Sequence, residues 1–328
     1  MLQNLSCAAD RRRLKAPFRI SRGVKTEIET VVATVEREGR IGRGEGTPYP
    51  RYGENTQSVI GQIESVRSRV EAGLDRESLI ELLPPGAARN ALDCALWDLE
   101  ARAAGSTVSA LLGRPRPGPC VSALTVSLDS PERMGRAAAA LAPAPLLKVK
   151  VDGAEPQAQI EAVRAAAPTA RLIVDPNEGW DLQLLKDLQP FLRSARVDLV
   201  EQPLPAADDE ALEGYTPLVP ICADESFHSG ADLDRVSSRY QCVNIKLDKS
   251  GGLTHALELE TLARARGMMV MVGCMVCTSL SIAPALLLAE QADFVDLDGP
   301  LWLADDHPGG VTAEGGVLTP SGEAVWRL

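Results

Sequence analysis

The sequence predicts an α/β protein, a TIM-type barrel of eight parallel strands preceded by a smaller α+β domain, and three observations carry that reading. From residue 118 onward short apolar runs alternate with amphipathic helical stretches, which implies parallel strands joined by crossovers. Eight such runs fit between residues 118 and 303, which suits a closed barrel better than its rival, a doubly wound open sheet. The first hundred or so residues have another texture, with hairpin patterns followed by helical ones.

Taken in order, Glu29 to Arg37 reads as a strand, Glu38-Gly39-Arg40 as its turn and Ile41-Gly42-Arg43-Gly44 as the return, with Gly44-Glu45-Gly46 turn-like. Thr56 to Leu112 is helical. Within it Ala87 to Ala104 repeats small and apolar residues at helical spacing, Trp97 falls in the core, and Gly105 is the stop. Arg114-Pro-Arg-Pro-Gly-Pro119 cannot continue a helix and reads as a linker, so the divisions fall at 1–117, 118–303 and a tail, 304–328. The strand candidates are Val121 to Leu128, Leu146 to Val151, Leu172 to Asn177, Leu199 to Leu204, Ile221 to Ser226, Val243 to Leu247, Met269 to Cys274 and Phe294 to Gly299.

Composition narrows the function classes. With 328 residues, 45% of them hydrophobic and 24% charged, the chain is globular, and disorder or a small disulfide scaffold is excluded. A formal charge of −11 argues against nucleic acid and anionic membrane as partners. Seven scattered cysteines, an odd number, suit reduced thiols in a cytoplasmic protein. No apolar run precedes the first charges, so no secretory signal is expected. The uncharged stretch Gly267 to Ala289 is broken by Gly273, by Cys277-Thr-Ser279 and by Pro284, and reads as a buried strand feeding a helix rather than as a membrane span.

The chemistry gathers at the C-terminal ends of the strands. Lys148 and Lys150 are two apart on the second strand and so face the same way. The next three strands end in Asp175-Pro-Asn177, Glu201-Gln-Pro203 and Asp224-Glu225-Ser226, and one carboxylate from each can converge on a hard cation such as Mg²⁺. Neither His nor Cys joins them, which disfavours zinc. Strand six offers Lys246 and strand eight Asp296 and Asp298. In a closed ring strands two and six lie on opposite walls, so Lys150 and Lys246 face each other with the acids between them. A metal-held carboxylate whose α-hydrogen is removed by one lysine, and whose opposite face is reprotonated by the other, gives a two-base 1,1-proton transfer through a metal-stabilised enolate. Burial beside Lys148 and the metal is expected to depress the lysine pKa values. Asp296 and Asp298, opposite strand four, would hold an ammonium group at the far end of a zwitterionic substrate. An acidic side chain on that substrate would need a cation from the N-terminal region, with Arg22 the first candidate and Lys25 and Arg51 behind it.

These motifs, Lys148-Val-Lys150, Asp175-Pro-Asn, Glu201-Gln-Pro, Asp224-Glu225-Ser, Asn244-Ile-Lys246-Leu and Asp296-Leu-Asp298, with Pro17-Phe18 and Thr47-Pro-Tyr-Pro-Arg-Tyr-Gly53, resemble the muconate-lactonising subgroup of the enolase superfamily. Within it they look like the dipeptide epimerases of the L-Ala-D/L-Glu type. The resemblance implies a modified (β/α)7β barrel whose mouth is covered by an α+β capping domain formed by the N-terminal region and the C-terminal tail. It also implies Asp175, Glu201 and Asp224 as Mg²⁺ ligands, Lys150 and Lys246 as the acid/base pair, and Asp296 and Asp298 at the dipeptide ammonium. The expected activity is a Mg²⁺-dependent dipeptide epimerase of murein-peptide recycling. N-acylamino acid racemase, o-succinylbenzoate synthase, cycloisomerase or a catalytically silent barrel are the alternatives, and association into homo-oligomers stays open.

The remaining residues have plainer readings. Lys148 joins the substrate-binding set, Cys274 and Met275 line the pocket, and Asn177 is a turn former or a partner to a metal ligand. Glu225 is a neighbour of a catalytic lysine. Asp248 and Lys249, ahead of Gly251-Gly252, are accounted for by a flexible loop.

Overall fold

The computed structural model describes residues 3–20 and 23–328. The barrel strands, numbered one to eight, are Leu124–Val126, Leu146–Lys150, Arg171–Asp175, Leu199–Glu201, Ile221–Ala223, Cys242–Ile245, Met269–Gly273 and Phe294–Asp296. They pair in that order and every pair is parallel. Between strands eight and one the ring is joined by Ala123 N donating to Val295 O (2.8 Å) and Leu297 N donating to Ser122 Oγ (2.9 Å). The strands are shorter than the apolar runs predict because the runs continue into the loops that carry the polar residues. Val121 is a correction: with Cys120 it pairs antiparallel to Val317–Thr319 in a separate small sheet. Helices cover most crossovers, but between strands four and five there is only a short 3-10 turn, Asp209–Leu212.

Alternation along each strand fixes what the barrel interior contains. One inward residue per strand, Ala123, Leu146, Ile173, Leu199, Cys222, Cys242, Met271 and Phe294, forms an apolar plug at the floor. Leu147, Val149 and Val151, of the opposite parity on strand two, pack outward with the crossover helices. The uncharged stretch at 267–289 becomes strand seven and the buried helix Ser279–Ala289, which accommodates Pro284 in its interior. Among the described residues no helix is long and apolar enough to cross a membrane. All seven cysteines are unbridged.

In the N-terminal region three antiparallel strands, Asn4–Ile20, Gly23–Arg37 and Arg40–Gly46, pack on helices, chiefly Ala87–Ala103. The sequence does not foretell the first strand. It is largely solvent-exposed and carries Asp10 to Arg13, so its apolar alternation is weak. The turn expected at Gly44-Glu45-Gly46 is instead strand. A Cβ on Gly42, Gly44 or Gly46 would lie 2.2, 2.2 and 2.1 Å from the carbonyl oxygens of Ala95, Ala91 and Ala87. The glycines are there because strand and helix touch backbone to backbone. The tail reaches the same helix, where Trp326 Nε1 donates to Cys94 O (3.1 Å) and Arg327 N to Asp98 Oδ1 (3.0 Å).

Buried polar groups join this region to the barrel. Glu45 accepts from Thr278 N (2.9 Å) and Thr278 Oγ1. Asp248 accepts from Thr47 N and Asn90 Nδ2, both at 2.8 Å, and Arg89 donates to the carbonyls of Ser250 (2.6 Å) and Gly251 (3.1 Å). Burial pushes the Glu45 carboxyl up to about 8, although its bonds to Thr278 oppose the rise.

Two outcomes follow. Gly44→Ala drives a methyl into the Ala91 carbonyl and should destabilise the protein by about 1–3 kcal/mol, read from the denaturant midpoint. Because the folded state holds the Glu45 proton more tightly than the unfolded chain, this group's contribution is full below about pH 4.5 and is lost as pH rises to about 8. Glu45→Gln should therefore flatten the decline in unfolding midpoint across that window, and unchanged slopes would contradict the assignment.

Candidate active site

The parity that builds the floor also builds the site. Two residues beyond the plug, the inward positions are Thr125, Lys148, Asp175, Glu201, Asp224, Asn244, Gly273 and Asp296. Two further on, Lys150, Lys246 and Asp298 continue three of these rows. Gly273 is small because its Cβ would stand 2.6 Å from Asn244 Oδ1. Above these residues lies a cavity of about 490 Å³, roofed by N-terminal residues that include Phe18, Val24, Lys25, Tyr49 and Tyr52.

Charges organise the mouth. Lys148 Nζ touches three acids at once, Glu201 Oε2 (2.6 Å), Asp296 Oδ2 (2.8 Å) and Asp175 Oδ2 (3.2 Å). Lys150 Nζ donates to Asp175 Oδ2 (2.5 Å), and on the opposite wall Lys246 Nζ donates to Asp224 Oδ2 (2.7 Å). Asn177, in left-handed conformation with φ 48°, gives Asp175 both its backbone N (2.8 Å) and Nδ2 (3.2 Å). Asn244 Nδ2 donates to Glu201 Oε1 (2.9 Å). Asp298 Oδ2 accepts from Thr125 N (2.8 Å) and Trp302 Nε1 (3.3 Å), whereas the buried Asp296 Oδ1 has no hydrogen-bond donor among the described residues. Glu225, Cys274 and Met275 all line the cavity.

At Lys148 and Lys246 the depression expected from burial is opposed by the neighbouring acids. Burial pulls Lys148 down, but Asp296, Glu201 and Asp175 together carry it well above its ordinary value. For Lys246 burial is likewise outweighed, chiefly by Asp224. The acids diverge. Burial raises all three, yet Lys150 and Lys148 bring Asp175 down to about 2, and Lys246 and Lys249 hold Asp224 well below its usual range. Burial, reinforced by the charge of Asp175, lifts Glu201 to about 7, and burial beside Asp296 lifts Asp298 to about 6.

A divalent cation fits this set. Six buried carboxylates, Asp175, Glu201, Asp224, Glu225, Asp296 and Asp298, meet four buried lysines, Lys148, Lys150, Lys246 and Lys249, so full ionisation leaves a deficit of two positive charges. The donors on strands three to five are all oxygens, which suits Mg²⁺. Among the described residues no acidic, cysteine and histidine side chains form a closed ligand set, and each of the three acids is paired with a lysine.

One expectation needs correcting. Asp248 and Lys249 are not in a loose loop but in a helical turn, Leu247–Ser250, and both are buried. Lys249 Nζ donates to Asp224 Oδ1 (2.6 Å), Asp224 O (2.6 Å) and Asn244 O (2.9 Å), making it the rear support of that carboxylate. Its spacing of three from Lys246 was the available signal, but only burial distinguishes it from a solvated charge. Arg51 lines the cavity, and its guanidinium also grips Glu178 through two bonds of 2.9 and 2.8 Å. Lys25 lies in the cavity wall with Nζ 5.1 Å from the centre of the Tyr49 ring, and Arg22 lies outside the described residues. Gln202, passed over in the sequence, accepts from Asp224 N and Ser226 N and donates to Leu204 O, tying strand four to strand five.

Comparison with known proteins bears on the family and the fold. Residues 3–113 match the mandelate racemase / muconate lactonizing enzyme N-terminal domain, and residues 133–323 the enolase C-terminal domain-like family. The chain is 50% identical to an L-Ala-D/L-Glu epimerase of Escherichia coli over 89% of its own length and 92% of the relative's. It is 42% identical to an N-acetyl-D-glutamate racemase of a Pseudoalteromonas species, covering 90% and 94%. An Agrobacterium tumefaciens enolase family member with homology to dipeptide epimerases, solved with sodium and L-Ala-L-Glu, superposes with a TM-score of 0.96 at 45% identity over 99% of each chain. A dipeptide epimerase of Enterococcus faecalis, complexed with Mg and L-Leu-L-Tyr, gives 0.89 at 28% identity over 97% of each.

Removing the rear support leaves a buried carboxylate short of one partner. Lys249→Met should cost about 3 kcal/mol of unfolding free energy, measured by chemical denaturation; a loss below about 0.5 kcal/mol, the range of ordinary surface changes, would show that Asp224 does not depend on it.

Proposed function

The chain belongs to the mandelate racemase / muconate lactonizing enzyme branch of the enolase superfamily, and from that premise we propose that it is a Mg²⁺-dependent dipeptide epimerase of the L-Ala-D/L-Glu type. The observation that carries the reading is the pair of buried lysines, Lys150 and Lys246, on strands four places apart, with the acids of strands three, four and five in the arc between them. In this reading Asp175, Glu201 and Asp224 hold the metal. Bound there, the cation supplies positive charge against the negative charge that grows on the substrate carboxylate as its α-proton leaves.

The protein's own groups do the rest. Lys150 and Lys246 address opposite faces of the α-carbon, one taking a proton while the other returns one, so the centre inverts. Lys148 is held by Asp175, Glu201 and Asp296 and stays a fixed positive charge beside the reacting carboxylate. Asp296, with an oxygen lacking a donor, and Asp298 beside it receive the dipeptide's ammonium. Arg22 stays the first candidate for an acidic side chain on the substrate, with Lys25 and Arg51, both in the cavity wall, behind it. Unbridged cysteines suit a cytoplasmic setting, and a dipeptide of this type suits murein-peptide recycling.

The likeness to an N-acetyl-D-glutamate racemase favours one other reading, racemisation of an N-acylated amino acid. Such a substrate has no ammonium for Asp296 and Asp298, so a panel of Ala-Glu dipeptides against N-acetylglutamate separates the two. Preference for the dipeptide is expected, and a shift of the preference toward the acylated amino acid in Asp298→Asn would support the clamp.

In deuterated buffer with Mg²⁺ the protein should exchange the α-hydrogen of the C-terminal residue of Ala-Glu and lose its optical purity. Lys150→Ala should abolish exchange from one epimer and spare it from the other, with Lys246→Ala showing the reverse. Retention of that α-hydrogen in both epimers by the unaltered protein would end the epimerase reading. Saturating Mg²⁺ should also raise the unfolding free energy, by about 2.7 kcal/mol at a hundred times the dissociation constant, and no shift would remove the metal from the scheme.

A further inference from the structure

Lys246 stands at the N-terminal end of the turn Leu247–Ser250, so its backbone position is set by whatever holds that turn. Two of the turn's side chains point in different directions. Lys249 runs under Asp224 and Asn244 within the barrel. Asp248 runs to the N-terminal region, where its Oδ1 takes Thr47 N and Asn90 Nδ2, each at 2.8 Å. Asn90 uses its second amide proton on Glu45 O (3.0 Å), and Arg89, one residue earlier on the same helix, takes the carbonyls of Ser250 and Gly251. The chain just past strand two is held otherwise. Asp152, two beyond Lys150, accepts from Gln159 Nε2 (3.1 Å) and Trp180 Nε1 (2.9 Å), both parts of the barrel.

We propose that Asp248 is a positioning residue for Lys246, through which Thr47 and Asn90 of the N-terminal region set the reach of one of the two acid/base lysines and not the other. The inference rests on the reading of Lys150 and Lys246 as that pair. Asp248 touches neither the substrate cavity nor the acids assigned to the metal, and it acts by fixing the backbone two residues away. Both of its donors are buried backbone or amide groups, so their geometry is rigid. Loss of the anchor lets Lys246 drift, and a displacement of about 1 Å in a reacting group is enough for a large fall in rate.

The test compares Asp248→Ala, Asn90→Ala and Asp248→Asn, with each epimer of Ala-Glu supplied separately in deuterated buffer. Lys150→Ala and Lys246→Ala identify which epimer each lysine serves. The two alanine variants should lose tenfold or more of the exchange that requires Lys246 while keeping the Lys150-dependent exchange within about threefold. Asp248→Asn, which retains an oxygen for both donors, should restore the Lys246 branch. If Asp248→Ala does not fold, Asn90→Ala makes the same comparison, since it leaves Asp248 its bond to Thr47 N. Equal losses from the two epimers would overturn the inference, because a merely structural lesion has no reason to choose between the faces. Absence of exchange in the unaltered protein would instead overturn the reading on which it rests.

Discussion

A strand in a closed barrel shows the interior every second residue, and this constraint decides what the chain is able to do. The same parity that buries Leu146, Ile173, Leu199 and Cys222 as a floor delivers Lys148, Asp175, Glu201 and Asp224 two residues later, at one level and pointing at one another. Had any of these strands slipped by one residue, its charge would face the apolar packing of the crossover helices. The floor therefore fixes the register of the reactive layer as much as it contributes to stability.

Bringing ten ionisable groups together in a buried mouth is costly unless they neutralise one another. The lysines and acids do so pairwise and imperfectly. Asp175 and Asp224 each have two lysines close enough to keep them charged, while Glu201, with Lys148 alone beside it, and Asp298 remain held up by burial and by a neighbouring carboxylate. The remaining appetite for positive charge is met, in the reading offered above, by a divalent ion at one end of the substrate and an ammonium at the other.

The polar motifs were legible because each sits at the end of an apolar run, where the pattern of burial and the chemistry of the side chain give the same answer. The strand numbering, the facing lysines and the arc of acids all came from that coincidence. What stayed hidden depended on a neighbour far away in sequence. Gly44 and Gly46 look like a turn until the backbone of the Ala87–Ala103 helix lies against them. Asp248 and Lys249 look solvated until Asn90 and Asp224 close over them. Arg51 gives no local sign of its bond to Glu178, and the raised pKa of Lys148 follows from acids on four other strands, which no local window contains. The exposed first strand gave too little apolar contrast to be seen.

The apolar plug has one more implication. Because eight side chains close the bottom of the ring, the reaction chamber is a cul-de-sac whose doorway, among the described residues, lies beneath the N-terminal roof. Reactant and product are mirror partners at one carbon and must pass the same threshold in opposite directions, so any loop motion that hastens arrival hastens departure, and traffic through that door cannot favour either stereoisomer by route alone.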